Sequence, residues 1–137
     1  MLHTWQPLPA LSHEGALLDK WSKLRDDRNE VTRALEELRI GGMIGSSLQA
    51  EVTIYADGEK FDRLTSLGDD LRFVFICSKT RVVRSTKDKV ECTALTYAKC
   101  ERCWHVREDV GANPEHPEIC GRCASNLHGD GEPRACA

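Results

Sequence analysis

Cys100-Glu101-Arg102-Cys103 and, after sixteen intervening residues, Cys120-Gly121-Arg122-Cys123 lie near the end of a 137-residue chain. Each C-x2-C pair can wrap one backbone knuckle around an ion, and the connecting loop closes a tetrahedron of thiolates. Soft sulfur donors suit zinc, with an iron–sulfur centre as the rival, and a full set of four leaves no open position for catalysis. The spacing predicts a structural zinc site, one ion per chain, held by Cys100, Cys103, Cys120 and Cys123. A thioredoxin-like redox pair would need one C-x2-C at a strand-to-helix junction, whereas two pairs lie here in a tail rich in glycine, proline and asparagine. Disulfides would need an oxidising compartment, yet Met1-Leu2-His3-Thr4-Trp5 lacks a secretory leader pattern and the cysteine count, seven, is odd. His105, His116 and His128 find no vacancy beside four thiolates and are expected at the surface or in hydrogen bonds.

Composition bounds the rest of the chain. With 40% hydrophobic residues and no apolar run near the roughly 20 residues that span a bilayer, it reads as a cytoplasmic globular chain, a monomer without a membrane partner. The net charge of -3 argues against binding polyanions by bulk electrostatics. Any nucleic-acid contact must then be made by a few placed arginine, lysine and aromatic groups.

Upstream of the cysteines, residues 1–13 carry Trp5, Pro7 and Pro9 without a sustained period and read as an extended lead-in. From Glu14 to Arg39, Leu17, Trp21, Leu24, Arg28, Val31, Leu35 and Leu38 recur at helical spacing, which predicts one long helix closed by Gly41 and Gly42. Arg28 interrupts the apolar stripe, its stem packed and its head on an acidic partner or at the rim, or else in a phosphate contact or an interdomain pair. Residues 43–50 read as a turn or short helical element, and Gly45-Ser46-Ser47 lacks the Gly-x4-Gly-Lys pattern of a phosphate loop. Glu51 to Tyr55 alternates as a strand with Val52 and Ile54 on one face, and Lys60 to Leu67 reads as a short helix. Leu71 to Cys77, the most apolar run, reads as a covered strand with Cys77 a buried hydrophobe. Residues 79–89 carry Lys79, Arg81, Arg84, Lys87 and Lys89 against Asp88 alone and read as a solvated basic face. Val90 to Tyr97 is a last strand, with Cys92 structural. The expected fold is α+β, a long helix packed on a small sheet over 14–97, with the zinc module after it over 98–137.

Three stretches carry a resemblance to a known family: Lys99-Cys-Glu-Arg-Cys-Trp-His, His116-Pro-Glu-Ile-Cys-Gly-Arg-Cys, and Gly129-Asp-Gly-Glu. They closely resemble the C-terminal zinc module of bacterial isoleucyl-tRNA synthetase. The upstream pattern of Trp21 to Arg28, Val31, Leu35-Glu36 and Ile44-Gly45-Ser46-Ser47-Leu48 is similar to the segment after that family's anticodon-binding helical domain. The resemblance implies a parent enzyme that joins isoleucine to its tRNA using ATP, with this region holding isoleucine tRNA on the anticodon side. The family's His-Ile-Gly-His and Lys-Met-Ser-Lys-Ser types of motif are absent from this sequence, so the chain looks like the tail of that enzyme, inactive alone, with the remainder of the synthetase as its partner. Cys136 departs from the pattern, where an aromatic residue is expected. Arg102 and Trp104 flank the ligand Cys103 and are the candidate RNA contacts, since unpaired bases stack on indole and guanidinium planes. Lys99, Arg107, Arg122 and Arg134 are secondary phosphate candidates. The alternative is a free-standing zinc finger that binds duplex DNA or a protein, because DNA glycosylases of the formamidopyrimidine type close on a similar finger. Their N-terminal Pro-Glu is replaced here by Leu2-His3.

Overall fold

The computed structural model describes residues 9–10 and 12–132. Helix α1 spans Glu14–Ile40. Its C-terminus closes as a glycine motif: Gly42 takes φ 72°, which lets Met43 N donate to the Leu38 carbonyl and Gly42 N to that of Arg39. The buried face runs through Leu24, Asp27, Val31 and Leu35, with Leu38 packed beside them. The stripe therefore turns one residue from the sequence reading: Asp27 is buried, and Arg28 is exposed. The reason is Arg63, whose Nε and Nη2 donate to the two Asp27 carboxylate oxygens at 3.0 and 3.2 Å. Leu17 and Trp21, expected in the same stripe, are 38% and 37% exposed, so the first turns run beyond the core.

Strand β1 (Ala50–Ala56) comes next and alternates strictly, burying Ala50, Val52, Ile54 and Ala56. Helix α2 (Gly58–Thr65) starts at Asp57, whose carboxylate accepts the Gly58 N–H at 2.8 Å. The run Leu71 to Cys77 is not a strand, as the sequence suggested. It forms a short helix α3 (Leu71–Phe75) that buries Leu71, Arg72 and Phe75 and ends in a left-handed Ile76 with φ 55°. Short apolar runs are ambiguous in period, and Leu71 and Phe75 also satisfy helical spacing.

The strand comes one step later, inside the basic stretch: β2 (Lys79–Arg84), then β3 (Lys89–Ala94). The sheet order is β2-β1-β3. β1 pairs parallel with β2, Glu51 opposite Lys79, and antiparallel with β3, Ala50 opposite Ala94. The parallel pair requires a crossover, which α2 and α3 supply. Cations of the basic stretch meet acids of neighbouring elements, Arg81 with Glu51 at 2.7 Å and Arg84 with Asp57 at 2.9 Å. Helix α1 packs on β3 and α3. One core joins Leu24, Val31, Leu35, Val52, Ile54, Leu64, Leu71 and Phe75, and Cys77 within it is fully buried. The fold is α+β, as expected from the sequence, with a second small cluster built around the cysteines.

Candidate metal centre

The first knuckle is the tip of a hairpin. Strands β4 (Ala98–Lys99) and β5 (Val106–Arg107) pair antiparallel, and residues 100–105 turn between them. Cys100 N donates to the His105 carbonyl and Trp104 N to that of Cys100, both at 2.9 Å, so two backbone bonds close the knuckle. Trp104 closes it in the left-handed region with φ 65°. The second knuckle opens helix α4 (Gly121–His128): Cys120 precedes its first residue and Cys123 sits in its first turn. Asp109 tethers that helix start by accepting the Gly121 N–H at 3.0 Å, and Arg107 fixes Asp109 at 2.8 Å. The chain between the knuckles thus returns because one carboxylate binds both its ends.

The four sulfurs Cys100, Cys103, Cys120 and Cys123 lie within 4.8 Å of one another. Zinc–thiolate bonds of about 2.3 Å place tetrahedral sulfurs about 3.8 Å apart. Cys103 and Cys120 stand at 3.7 Å, so the donor set has the size of a zinc site. Burial opposes ionisation of Cys100, but the backbone N–H groups of Cys103, Cys120 and Arg102 outweigh it and bring that thiol down to about 6. Burial pushes Cys120 up to about 12 and also raises Cys123. Four thiolates at this separation repel one another, and a dication removes that conflict, so the residues fit zinc. Arg102 adds an N–H 3.6 Å from the Cys123 sulfur.

The residues proposed from sequence to touch RNA divide by environment. Arg102, Trp104 and Lys99 are exposed, Trp104 by 61%, and the Lys99 ammonium lies 5.2 Å from the indole centroid. Arg107 is engaged by Asp109, and Arg122, its side chain 14% exposed, by Glu132 at 3.2 Å. Arg134 and Cys136 lie outside the described residues, as does most of the lead-in. His105 is buried, its pKa lowered by that burial, and its Nδ1–H donates to the Cys103 carbonyl at 3.2 Å. His116 and His128, expected at the surface, stack on each other at 3.9 Å.

Three contacts that the sequence did not signal seat the module on the α+β part. The Phe73 ring meets His105 edge-on at 5.9 Å and lies 5.1 Å from the Arg122 guanidinium. Ser78 Oγ, buried, accepts the Val106 N–H at 2.8 Å and donates to the Leu48 carbonyl at 2.5 Å. Nothing in a lone serine or phenylalanine of the sequence marks it for such a seam.

The knuckles and their helix define a four-cysteine zinc-finger module carried by an α+β unit, and residues 99–126 match the family described as "Zinc finger found in FPG and IleRS". Over its whole length the chain is a homologue of the C-terminal region of isoleucine–tRNA ligases. It is 61% identical over 137 residues to the isoleucine–tRNA ligase of Dechloromonas aromatica, covering 100% of this chain and 15% of that protein. It is 58% identical to that of Paraburkholderia xenovorans and 55% identical to that of Burkholderia cenocepacia, covering 98% of this chain and 14% of each relative. The chain therefore spans about one seventh of the length of these curated relatives. Among the described residues, no helix is long and apolar enough to cross a membrane.

Proposed function

We propose that this chain is the zinc-ordered, tRNA-holding end of an isoleucine–tRNA ligase, with Zn2+ on Cys100, Cys103, Cys120 and Cys123. Its units are the α+β region over 14–97 and the zinc module over 98–137. ATP-dependent aminoacylation belongs to the rest of that enzyme, and this chain alone is inactive. Its partners are isoleucine tRNA and the remaining synthetase, in the cytoplasm, as a monomer. Zinc here supplies charge neutralisation and a cross-link between the two knuckles, which offsets the conformational entropy of a segment with few apolar anchors.

The observation that supports the reading is Trp104. An indole held outward at φ 65°, with Lys99 over its ring, contributes nothing evident to a core. It offers a base-stacking platform beside a cation, with Arg102 exposed two residues away. Arg107 and Arg122 shape this surface through their acidic partners, and Arg134 extends the set.

The test is a titration of the zinc-loaded chain against isoleucine tRNA, a noncognate tRNA and duplex DNA at two salt concentrations, with and without chelator. A preference for isoleucine tRNA that chelation removes is the expected result. Preference for duplex DNA favours the free-standing finger, and equal binding to all three sinks the tRNA reading.

A further inference from the structure

Between the β4–β5 hairpin and the start of β2 lies a cleft of about 160 Å3, and none of the four cysteines lines it. Its lining mixes charges: Arg72, Lys79 and Arg107 on one hand, Asp69 and Glu108 on the other. Tyr97 also faces it, 45% exposed and free of ring contacts among the described residues. Most of these charges are already committed. Arg72 pairs with Asp69 and Arg107 with Asp109, whereas Lys79 and Glu108 have no ion pair among the described residues. Arg72 is 6% exposed, and its Nε–H is buried without a hydrogen-bond partner.

A phosphate alone suits this lining poorly, because two carboxylates oppose it. A nucleobase edge suits it well, since it presents donors and acceptors side by side, and carboxylates accept from exocyclic amino groups. Unstacked bases in single-stranded RNA are taken up on aromatic faces, which Tyr97 provides.

We propose that this cleft binds one unstacked nucleobase bearing an exocyclic amino group, stacked on Tyr97, with its amino group on Glu108 and a carbonyl oxygen on Lys79. The site rests on the RNA-binding reading and adds to it a second contact, separate from Trp104.

The test uses the zinc-loaded full chain, titrated with cytidine 5′-monophosphate, uridine 5′-monophosphate or inorganic phosphate and monitored by NMR. Cytidine monophosphate should give saturable shifts at Tyr97 and at the amides of Lys79 and Glu108, while uridine monophosphate binds more weakly and phosphate leaves them unmoved. Tyr97→Ala and Glu108→Gln should each weaken the binding read at the Lys79 amide about fivefold or more. An equal response to inorganic phosphate, or no cleft shifts at millimolar nucleotide, overturns the proposal. Binding of isoleucine tRNA through Trp104 with a silent cleft would discard the cleft alone. Cleft shifts with cytidine monophosphate in a chain that ignores tRNA would discard the tRNA reading and keep the nucleobase site.

Discussion

The hydroxyl of Ser78 holds the backbone N–H of Val106 at 2.8 Å, and both residues are buried. Through this one group the end of α3's loop, the Leu48 carbonyl and the metal hairpin share a hydrogen-bond chain. Ser78→Ala leaves the buried Val106 N–H and the half-buried Leu48 carbonyl without this partner, at about 1–3 kcal/mol. Thermal unfolding of the zinc-loaded variant should show a Tm several degrees lower, and a Tm equal to that of the parent would mean that water replaces the hydroxyl.

Removing the metal should release the knuckles while sparing α1. After chelation, Cys100, Cys103, Cys120 and Cys123 should become alkylated, mapped by mass spectrometry. Cys77 should stay protected, because burial holds its thiol up at about 12 and no reagent reaches it until the core opens. Far-UV circular dichroism should keep the signal of the Glu14–Ile40 helix. Loss of that signal together with the zinc would mean that the seam at Ser78 and Phe73 carries more of the fold than its size suggests.

Trp104 sits where glycine is favoured, since a side chain in the left-handed region costs about 1 kcal/mol or more. Its indole is largely exposed, so little packing is lost on removal. Trp104→Gly is therefore expected to raise Tm slightly while lowering tRNA affinity by about fivefold or more. Thermal melts paired with tRNA titration check both halves, and an unchanged affinity in the metallated variant removes Trp104 from the RNA surface.

Asp27 and Arg63 form a buried pair with both side chains almost out of water, 7% and 12% exposed. Asp27→Ala leaves the guanidinium only the exposed Glu59 carboxylate, 3.8 Å away, and should cost about 3 kcal/mol. The double variant Asp27→Leu, Arg63→Met should recover most of that loss in urea unfolding. Failure to recover would show that the pair's position on α1 needs its hydrogen bonds, not merely its volume.

Asp109 gives a pH dependence. Burial opposes its ionisation, but Arg107 and the Gly121 N–H outweigh burial and hold its carboxyl below the ordinary value. A carboxyl depressed in the fold contributes stability above its unfolded pKa and loses it as pH falls through the folded one. The stability gap between the parent and Asp109→Asn should be full at neutral pH and close as pH falls below about 4, the ordinary carboxyl value. A gap independent of pH would assign the effect to shape and not to charge.

The parts legible in the sequence are those with a strong period or strict spacing. The recurrence from Leu24 to Leu38 yields α1, the alternation at Val52 and Ile54 yields β1, and the two C-x2-C pairs yield the cysteine cluster. Leu71 to Cys77 misled because so short and apolar a run satisfies both periods, and only the positive φ at Ile76 ends the helix. β2 was hidden because an edge strand rich in arginine and lysine looks like solvated surface until its cross-strand acids are seen. Asp27 was missed because its partner lies on α2, far along the chain. The seam at Ser78, Phe73 and His105 has no sequence period at all.

The central position of β1 also dictates an order of assembly. β1 lies between a parallel neighbour and an antiparallel one, and both come after it in the chain. Within this stretch α1 is made before the elements that cover Leu24, Val31 and Leu35, and that cover is incomplete until Lys89–Ala94 has followed. Such late, non-local closure is slow and leaves apolar surface open to wrong partners. The zinc hairpin, seated on Ser78, follows that closing strand in sequence, so the body can be complete before the metal module docks on it.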